Sequence, residues 1–180
     1  KGDLFFALEG GGADGHEFIP DAIQAGAAAI VGRKDLQILD VPYFRDENPR
    51  KSMAHIAAAF NGFPARSLNV IGVTGTDGKT TTVNLIHQAL LACGIKAGMI
   101  SSVNAIIGDD AIDTGFHVTT PEAPVIQSLF KKMVDSGLTH VVLETTSHGL
   151  DQYRAEACEI DLAVVTNITH EHMDYHGGYD

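Results

Sequence analysis

Seven consecutive residues near the middle of the chain, Gly75-Thr76-Asp77-Gly78-Lys79-Thr80-Thr81, have the types and spacing of a site for a phosphorylated ligand. Gly75 and Gly78 carry no side chain, so backbone N–H groups can crowd around an anion. Lys79 can neutralise outer phosphates while the Thr80 hydroxyl reaches a magnesium ion. The alternative is a glycine-rich turn without a ligand. Strand, loop, Lys-Thr and helix follow in the order a nucleotide site requires, which weighs against that alternative. The loop is the short Gly-x-x-Gly-Lys-Thr form, since Val73 stands five residues before Gly78.

Two further clusters could serve the same chemistry. Glu144-Thr145-Thr146-Ser147-His148-Gly149-Leu150 follows Val141-Val142. A glutamate at a strand end can be a plain surface residue, but beside Lys79 and Thr80 it reads as the carboxylate that helps hold magnesium. Asn167-Ile168-Thr169-His170-Glu171-His172-Met173-Asp174-Tyr175-His176 carries three of the nine histidines. His170-x-His172-x-Asp174 has the zinc-ligand spacing of metallo-β-lactamase-like hydrolases, yet Tyr175 stands where a further His belongs, and a phosphate loop has no role in that chemistry. Thr120 and Pro121 can cap and open a helix, with Thr119 beside them at the same end. Gln152-Tyr153-Arg154 is either a solvated helix face or the source of a bidentate arginine contact.

These side chains need a scaffold that brings distant segments to one edge. Val70-Ile71-Gly72-Val73 reads as a strand, and Val83, Leu85, Ile86, Ala89 and Leu90 mark the helix that follows the loop, ending at Cys93-Gly94. Further strands are predicted over 97–101, 140–143 and 162–166, a small hairpin over 106–112, and a helix from Thr120-Pro121-Glu122 to Ser136-Gly137. Strand and helix alternate, which predicts a mostly parallel sheet with ligands beyond the carboxyl ends of its strands. Upstream, residues 3–8 read as a strand, 10–15 as a sharp loop, 20–25 as a helix before the strand 28–31, and Asn48-Pro49 as the start of a helix with Met53, Ile56, Ala57 and Phe60 on one face. Asn61-Gly62-Phe63-Pro64 ends that helix, and a domain junction is placed near Pro64 to Leu68. The fold class is α/β: a small domain over residues 1–66, then the first part of a phosphate-loop domain over 67–180.

Composition bounds the rest. The chain has 180 residues, 44% hydrophobic and 19% charged, as in an ordinary globular protein. A formal net charge of −11 disfavours nucleic acid and anionic membranes as partners. Cys93 and Cys158 are far apart, so neither a disulfide framework nor a zinc knuckle is indicated, and the expected compartment is reducing. No apolar run approaches the roughly 20 residues of a membrane span. The chain opens on Lys1 rather than methionine and stops just after a dense polar motif, which reads as part of something longer.

Taken together, Gly75 to Thr81, Thr119-Thr120-Pro121-Glu122, Glu144 to Leu150 and Asn167 to Gly177, in this order, resemble the Mur ligases, the ATP-dependent amide ligases of peptidoglycan precursor synthesis. The Ser147-His148-Gly149-Leu150 and Asp174-Tyr175-His176-Gly177 strings are most similar to the tripeptide-forming members. Gly2 to Leu8 and Asp14 to Ile19 resemble their uridine-holding N-terminal domain. The resemblance implies that residues 75–81 hold ATP with Asn167 near the nucleotide, and that Thr80, Glu144 and His172 hold Mg2+. It implies a catalytic set of Lys79, Glu144 and His172, and that Thr119, Thr120, Thr146, Gln152 and Arg154 contact the UDP-N-acetylmuramoyl dipeptide, to which a free amino acid is joined through an acyl phosphate. It further implies a cytoplasmic monomer whose bridging carbamylated lysine and amino-acid pocket follow residue 180, so that the 180 residues alone lack ligase activity. In the loop, Asp77 replaces a usual Asn, and Thr146 replaces a usual Ser. Folylpolyglutamate synthetase shares the phosphate loop, and with it another Mur ligase or a non-catalytic nucleotide-binding relative stands as an alternative.

Overall fold

Short apolar runs separated by glycine-marked turns fold here into one parallel and one mixed, mostly parallel β-sheet, seen in a computed structural model that describes residues 1–10, 12–36, 40–113 and 120–169. The chain divides into two compact units, Lys1–Ile56 and Ala57–Asp180.

In the first unit, β1 (Leu4–Ala7) and β3 (Tyr43–Arg45) flank β2 (Ala29–Gly32), all parallel, with Ala7 opposite Gly32 and Ile30 opposite Tyr43. The crossover from β1 to β2 carries a 3-10 turn, Gly15–Phe18, and α1 (Ile19–Gln24), which lays Ile19 onto Ala7 and Ile30. Asp14 organises the turn. Its carboxylate accepts from the His16 backbone N–H at 2.9 Å, pairs with His16 Nδ1 at 2.6 Å, and also holds the Lys34 ammonium. His16 Nε2 accepts from the Arg33 N–H at 3.1 Å, so the ring carries its proton on Nδ1. Lys34, and then His16, hold the Asp14 carboxyl well below the usual carboxylate range, and Asp14 in turn raises Lys34. Glu9, Asp14 and His16 present ligand atoms within 4.8 Å of one another, but the bonds just described already occupy those of Asp14 and His16.

The helix α2 (Pro49–Phe60) starts as the sequence predicts, with Asn48 Oδ1 accepting from the Lys51 N–H at 3.1 Å. Its buried stripe is Met53, Ala54, Ala57 and Ala58, whereas Ile56 and Phe60 are 41% and 90% exposed. The predicted face is therefore rotated: the small alanines, not the large residues at 56 and 60, turn inward. The division between units falls inside this helix, between Ile56 and Ala57, ahead of the stretch Pro64 to Leu68 where the sequence places a junction.

The second unit is a six-stranded sheet of order β7-β6-β5-β8-β4-β9. Four strands are parallel: β5 (Ala97–Ile100), β8 (His140–Glu144), β4 (Asn69–Thr74) and β9 (Leu162–Val165). β6 (Asn104–Ile107) and β7 (Asp110–Asp113) form the predicted hairpin and extend the sheet antiparallel from β5, turning at Gly108 with φ 62°. Alternate residues of β8 feed two cores. Val141 and Leu143 pack with Ile126, Phe130 and Met133 of α4 (Ala123–Asp135), and Val142 packs with Val73, Met99 and Val83 of α3 (Lys79–Ala92). Burial on both faces is why β5 and β8 read as unbroken apolar runs rather than as alternating ones, whereas β9 is largely exposed. Emptying the fully buried Phe130 to alanine would cost about 3–5 kcal/mol.

One predicted element shifts. Helix α4 begins at Ala123 with Glu122 at the N-cap position and Pro124 in its first turn, so Thr120 does not cap it. The reason is a competing partner for the Thr120 hydroxyl, described below. On α3, Leu85 is 65% exposed although the apolar pattern includes it.

Candidate active site

Parallel pairing places the carboxyl ends of β4, β8, β5 and β9 along one edge, and the polar residues after each strand gather there. β4 stops at Thr74, and α3 begins five residues later at Lys79. Gly75 has φ 135° and Gly78 has φ 82°, conformations that L side chains rarely adopt. The two differ in surroundings. A Cβ on Gly75 would overlap Thr166 Oγ1 and lie 2.8 Å from the Asn167 carbonyl oxygen, whereas one on Gly78 would meet nothing within 4 Å. The Lys79 ammonium folds over the loop and donates to the Gly75 and Thr76 carbonyls, both at 2.7 Å. The first turn of α3 faces a cleft of about 310 Å³ bounded by the loop, Ser102 and Glu144.

Glu144 is the last residue of β8 and only 1% exposed. A buried carboxylate needs donors. Thr80 Oγ1 supplies one at 2.9 Å to Oε1, the Ser102 hydroxyl another at 2.8 Å to the same oxygen, and the Ser102 N–H a third at 3.0 Å to Oε2. Three oxygen-bearing side chains from the ends of three neighbouring segments therefore meet at one point beside the phosphate loop. The oxygen donors among the described residues suit a hard cation such as magnesium. Ser102 belongs to none of the sequence motifs, although it obeys the same rule as Glu144: a polar residue just past a strand, here β5.

The loop is also held from its other side. Thr166 and Asn167, directly after β9, bond the backbone of Thr76 and Asp77. The Asp77 side chain is exposed, so neighbours grip its peptide groups and leave its carboxylate to solvent.

A second polar cluster continues past Glu144. Thr146 caps α5 (Ser147–Asp151), accepting from the Gly149 N–H at 3.0 Å, and its own N–H donates to Thr120 Oγ1 at 3.0 Å. That bond draws the Thr120 hydroxyl away from the α4 terminus. Gly149 permits the approach, since a Cβ there would lie 2.8 Å from Thr120 Cβ. Arg154 donates to the Thr120 carbonyl at 2.6 Å and to Gln152 Oε1 at 2.7 Å, and pairs with Glu122 at 3.0 Å. Thr120, Thr146, Gln152 and Arg154, the described members of the set implied by resemblance, thus form one bonded group. Thr119 and His172 lie outside the described residues.

The family model described as the Mur ligase middle domain matches residues 73–180, which includes the carboxyl ends of all four parallel strands. The chain belongs to the Mur ligase family. A second family model, the catalytic domain of the Mur ligase family, matches residues 1–61. This Mur ligase chain is 46% identical over 177 residues to the UDP-N-acetylmuramoyl-L-alanyl-D-glutamate–2,6-diaminopimelate ligase of Geobacillus kaustophilus, covering 98% of the chain and 36% of that protein. A solved structure of a ligase with the same descriptive name superposes with a TM-score of 0.79 at 26% identity, covering 97% of this chain and 35% of the other. The MurF ligase of Thermotoga maritima in complex with ADP superposes with a TM-score of 0.62 at 26% identity, covering 99% of this chain and 37% of that one. The chain therefore spans about a third of the length of the relatives it matches, 36% for the Geobacillus protein.

Proposed function

We propose that these residues belong to an ATP-dependent ligase that adds the third amino acid to UDP-MurNAc-L-Ala-D-Glu in peptidoglycan precursor synthesis, working in the cytoplasm as a monomer. Among the described residues no helix is long and apolar enough to cross a membrane. One observation carries the reading: the buried Glu144 carboxylate bonded to the Thr80 hydroxyl at 2.9 Å, at the mouth of a Gly-x-x-Gly-Lys-Thr loop.

In this proposal the backbone of residues 75–81 receives the ATP phosphates, and the N-terminus of α3 adds its unpaired N–H groups and positive dipole end. Lys79 would trade its contacts with the Gly75 and Thr76 carbonyls for oxygens of the outer phosphates. Thr80 and Glu144, with His172, would hold magnesium, and Ser102 fixes the rotamer of Glu144 through its N–H and hydroxyl. Magnesium, when bound, offsets charge on the phosphate oxygens. Thr119, Thr120, Thr146, Gln152 and Arg154 would hold the dipeptide. Arg154 is bonded on two sides and 15% exposed at its side chain, so its guanidinium is oriented before substrate arrives.

The chemistry has two steps. An oxygen of the dipeptide carboxylate attacks the γ-phosphorus of ATP and ADP leaves, giving an acyl phosphate. The incoming amine then attacks that carbonyl, and inorganic phosphate departs from the tetrahedral intermediate as the amide forms. Carboxylate and triphosphate repel one another, so the protein's part is alignment and placed positive charge, which Lys79 and the loop amides provide.

The decisive assay measures phosphate release by a full-length ligase carrying these residues, given ATP, UDP-MurNAc-L-Ala-D-Glu and lysine or diaminopimelate. Amide formation is expected in step with phosphate release, and Lys79→Ala should abolish both. Turnover only with a folate and glutamate, or unimpaired turnover in Lys79→Ala, would contradict the proposal.

A further inference from the structure

Asn167 lies two residues beyond β9 and 90 positions from Asp77, yet both atoms of its side-chain amide face the backbone of that one residue. The Asp77 N–H donates to Asn167 Oδ1 at 3.0 Å, and Asn167 Nδ2 donates back to the Asp77 carbonyl at 3.0 Å. Thr166 Oγ1 donates to the same carbonyl at 2.7 Å. The Asn167 carbonyl takes the Thr76 N–H at 2.9 Å, and Thr76 Oγ1 accepts from the Thr169 N–H at 3.0 Å. Two consecutive loop residues are thus tied at five points to one segment of chain.

The ladder between β4 and β9 makes this possible. Thr74 stands opposite Val165, and the Thr166 N–H donates to the Thr74 carbonyl at 2.9 Å, so the chain leaves β9 already alongside the loop. The absence of a side chain at Gly75 is what lets Thr166 and Asn167 approach so closely. A loop with two glycines has many conformations open to it, and only some present its amides toward an anion. External hydrogen bonds on Thr76 and Asp77 narrow that choice before any ligand arrives, which raises apparent affinity by raising the competent fraction.

We propose that Asn167, assisted by Thr166, is a positioning residue for the phosphate loop, acting through the backbone of Thr76 and Asp77 rather than by touching the nucleotide base. The proposal rests on the reading of residues 75–81 as the phosphate site.

Two probes on the full chain separate this role from a direct contact: ATP, and inorganic tripolyphosphate, which has no base, each titrated with magnesium present. Asn167→Ala removes two bonds to Asp77 and is expected to weaken both probes by the same factor, about tenfold. The Asp77 amide should also exchange its hydrogen faster without ligand. Thr166→Val should weaken both probes equally but less, and Thr166→Ser should restore wild-type binding. Should Asn167→Ala not fold, the Thr166 pair decides on its own. Loss of ATP affinity with tripolyphosphate binding unchanged would overturn the proposal in favour of a base contact, and unchanged binding of both would overturn it outright. If the wild-type chain bound neither probe, the phosphate-site reading itself would fall, a result distinct from any variant effect.

Discussion

The two glycines of the phosphate loop make a sharp test, because both have positive φ but only one is hemmed in. Replacing Gly75 by alanine forces an L residue to φ 135° and drives its Cβ into Thr166 Oγ1 and to 2.8 Å from the Asn167 carbonyl oxygen. The backbone strain costs about 1–3 kcal/mol. Pushing the 166–167 segment aside breaks the Thr76 N–H bond to Asn167 and the Thr166 bond to Asp77, about 1 kcal/mol each. Alanine also lowers the entropy of the unfolded chain, which offsets about 0.5 kcal/mol. The net expectation for Gly75→Ala is roughly 3 kcal/mol, or about 10 °C in midpoint temperature for a chain of this size. Gly78→Ala meets no neighbour, so only strain of about 1–2 kcal/mol less the same offset remains, roughly 1 kcal/mol. Thermal unfolding followed by circular dichroism without nucleotide measures both. Equal losses, or a larger one at Gly78, would refute the assignment of Gly75 to the packing of the fold. ATP titration then adds a second comparison: any affinity lost by Gly78→Ala beyond its small stability change reports close approach of phosphate to that peptide.

Two further outcomes follow from the same geometry. Asp14 is shifted downward from its ordinary value of 3.8 by Lys34 and His16, so its contribution is complete above that value and is lost as the pH falls through the lower folded value. Acid unfolding followed by circular dichroism should therefore steepen below about pH 4 in the wild type, and Asp14→Asn should flatten that limb; superimposable acid limbs would contradict the pairing. Burial pushes the Cys158 thiol up to about 12, whereas Cys93 is exposed. An aromatic disulfide reagent at pH 8 should titrate one thiol in the folded chain and two after denaturation, and two rapid equivalents in the folded state would show that Cys158 is not enclosed.

Local order along the chain determined a good deal. The strand-loop-helix unit around residues 75–81 was readable because strand, Gly-x-x-Gly-Lys-Thr and helix are consecutive, and its form needs nothing from elsewhere to be recognised. Asn48 before Pro49 located the start of α2, and apolar runs located β4, β5, β8 and β9; in β5 and β8 burial on both faces leaves no polar alternation, whereas β9 is apolar yet largely exposed. Tertiary pairing decided what these parts do to one another. Thr80 and Glu144 are 64 positions apart and Asp77 and Asn167 are 90 apart, and each pair meets only because β4 lies between β8 and β9. The same strand order brings in Ser102 from the end of β5, a residue marked along the chain only as a polar one just past a strand. Thr120 has the look of a helix cap and is instead claimed by Thr146, and Phe60 has the look of core yet is exposed. In each case a side chain had a local option and a distant one. Hydrogen bonds and apolar burial are won by whichever partner the packed sheet delivers, and periodicity along the chain carries no information about that delivery.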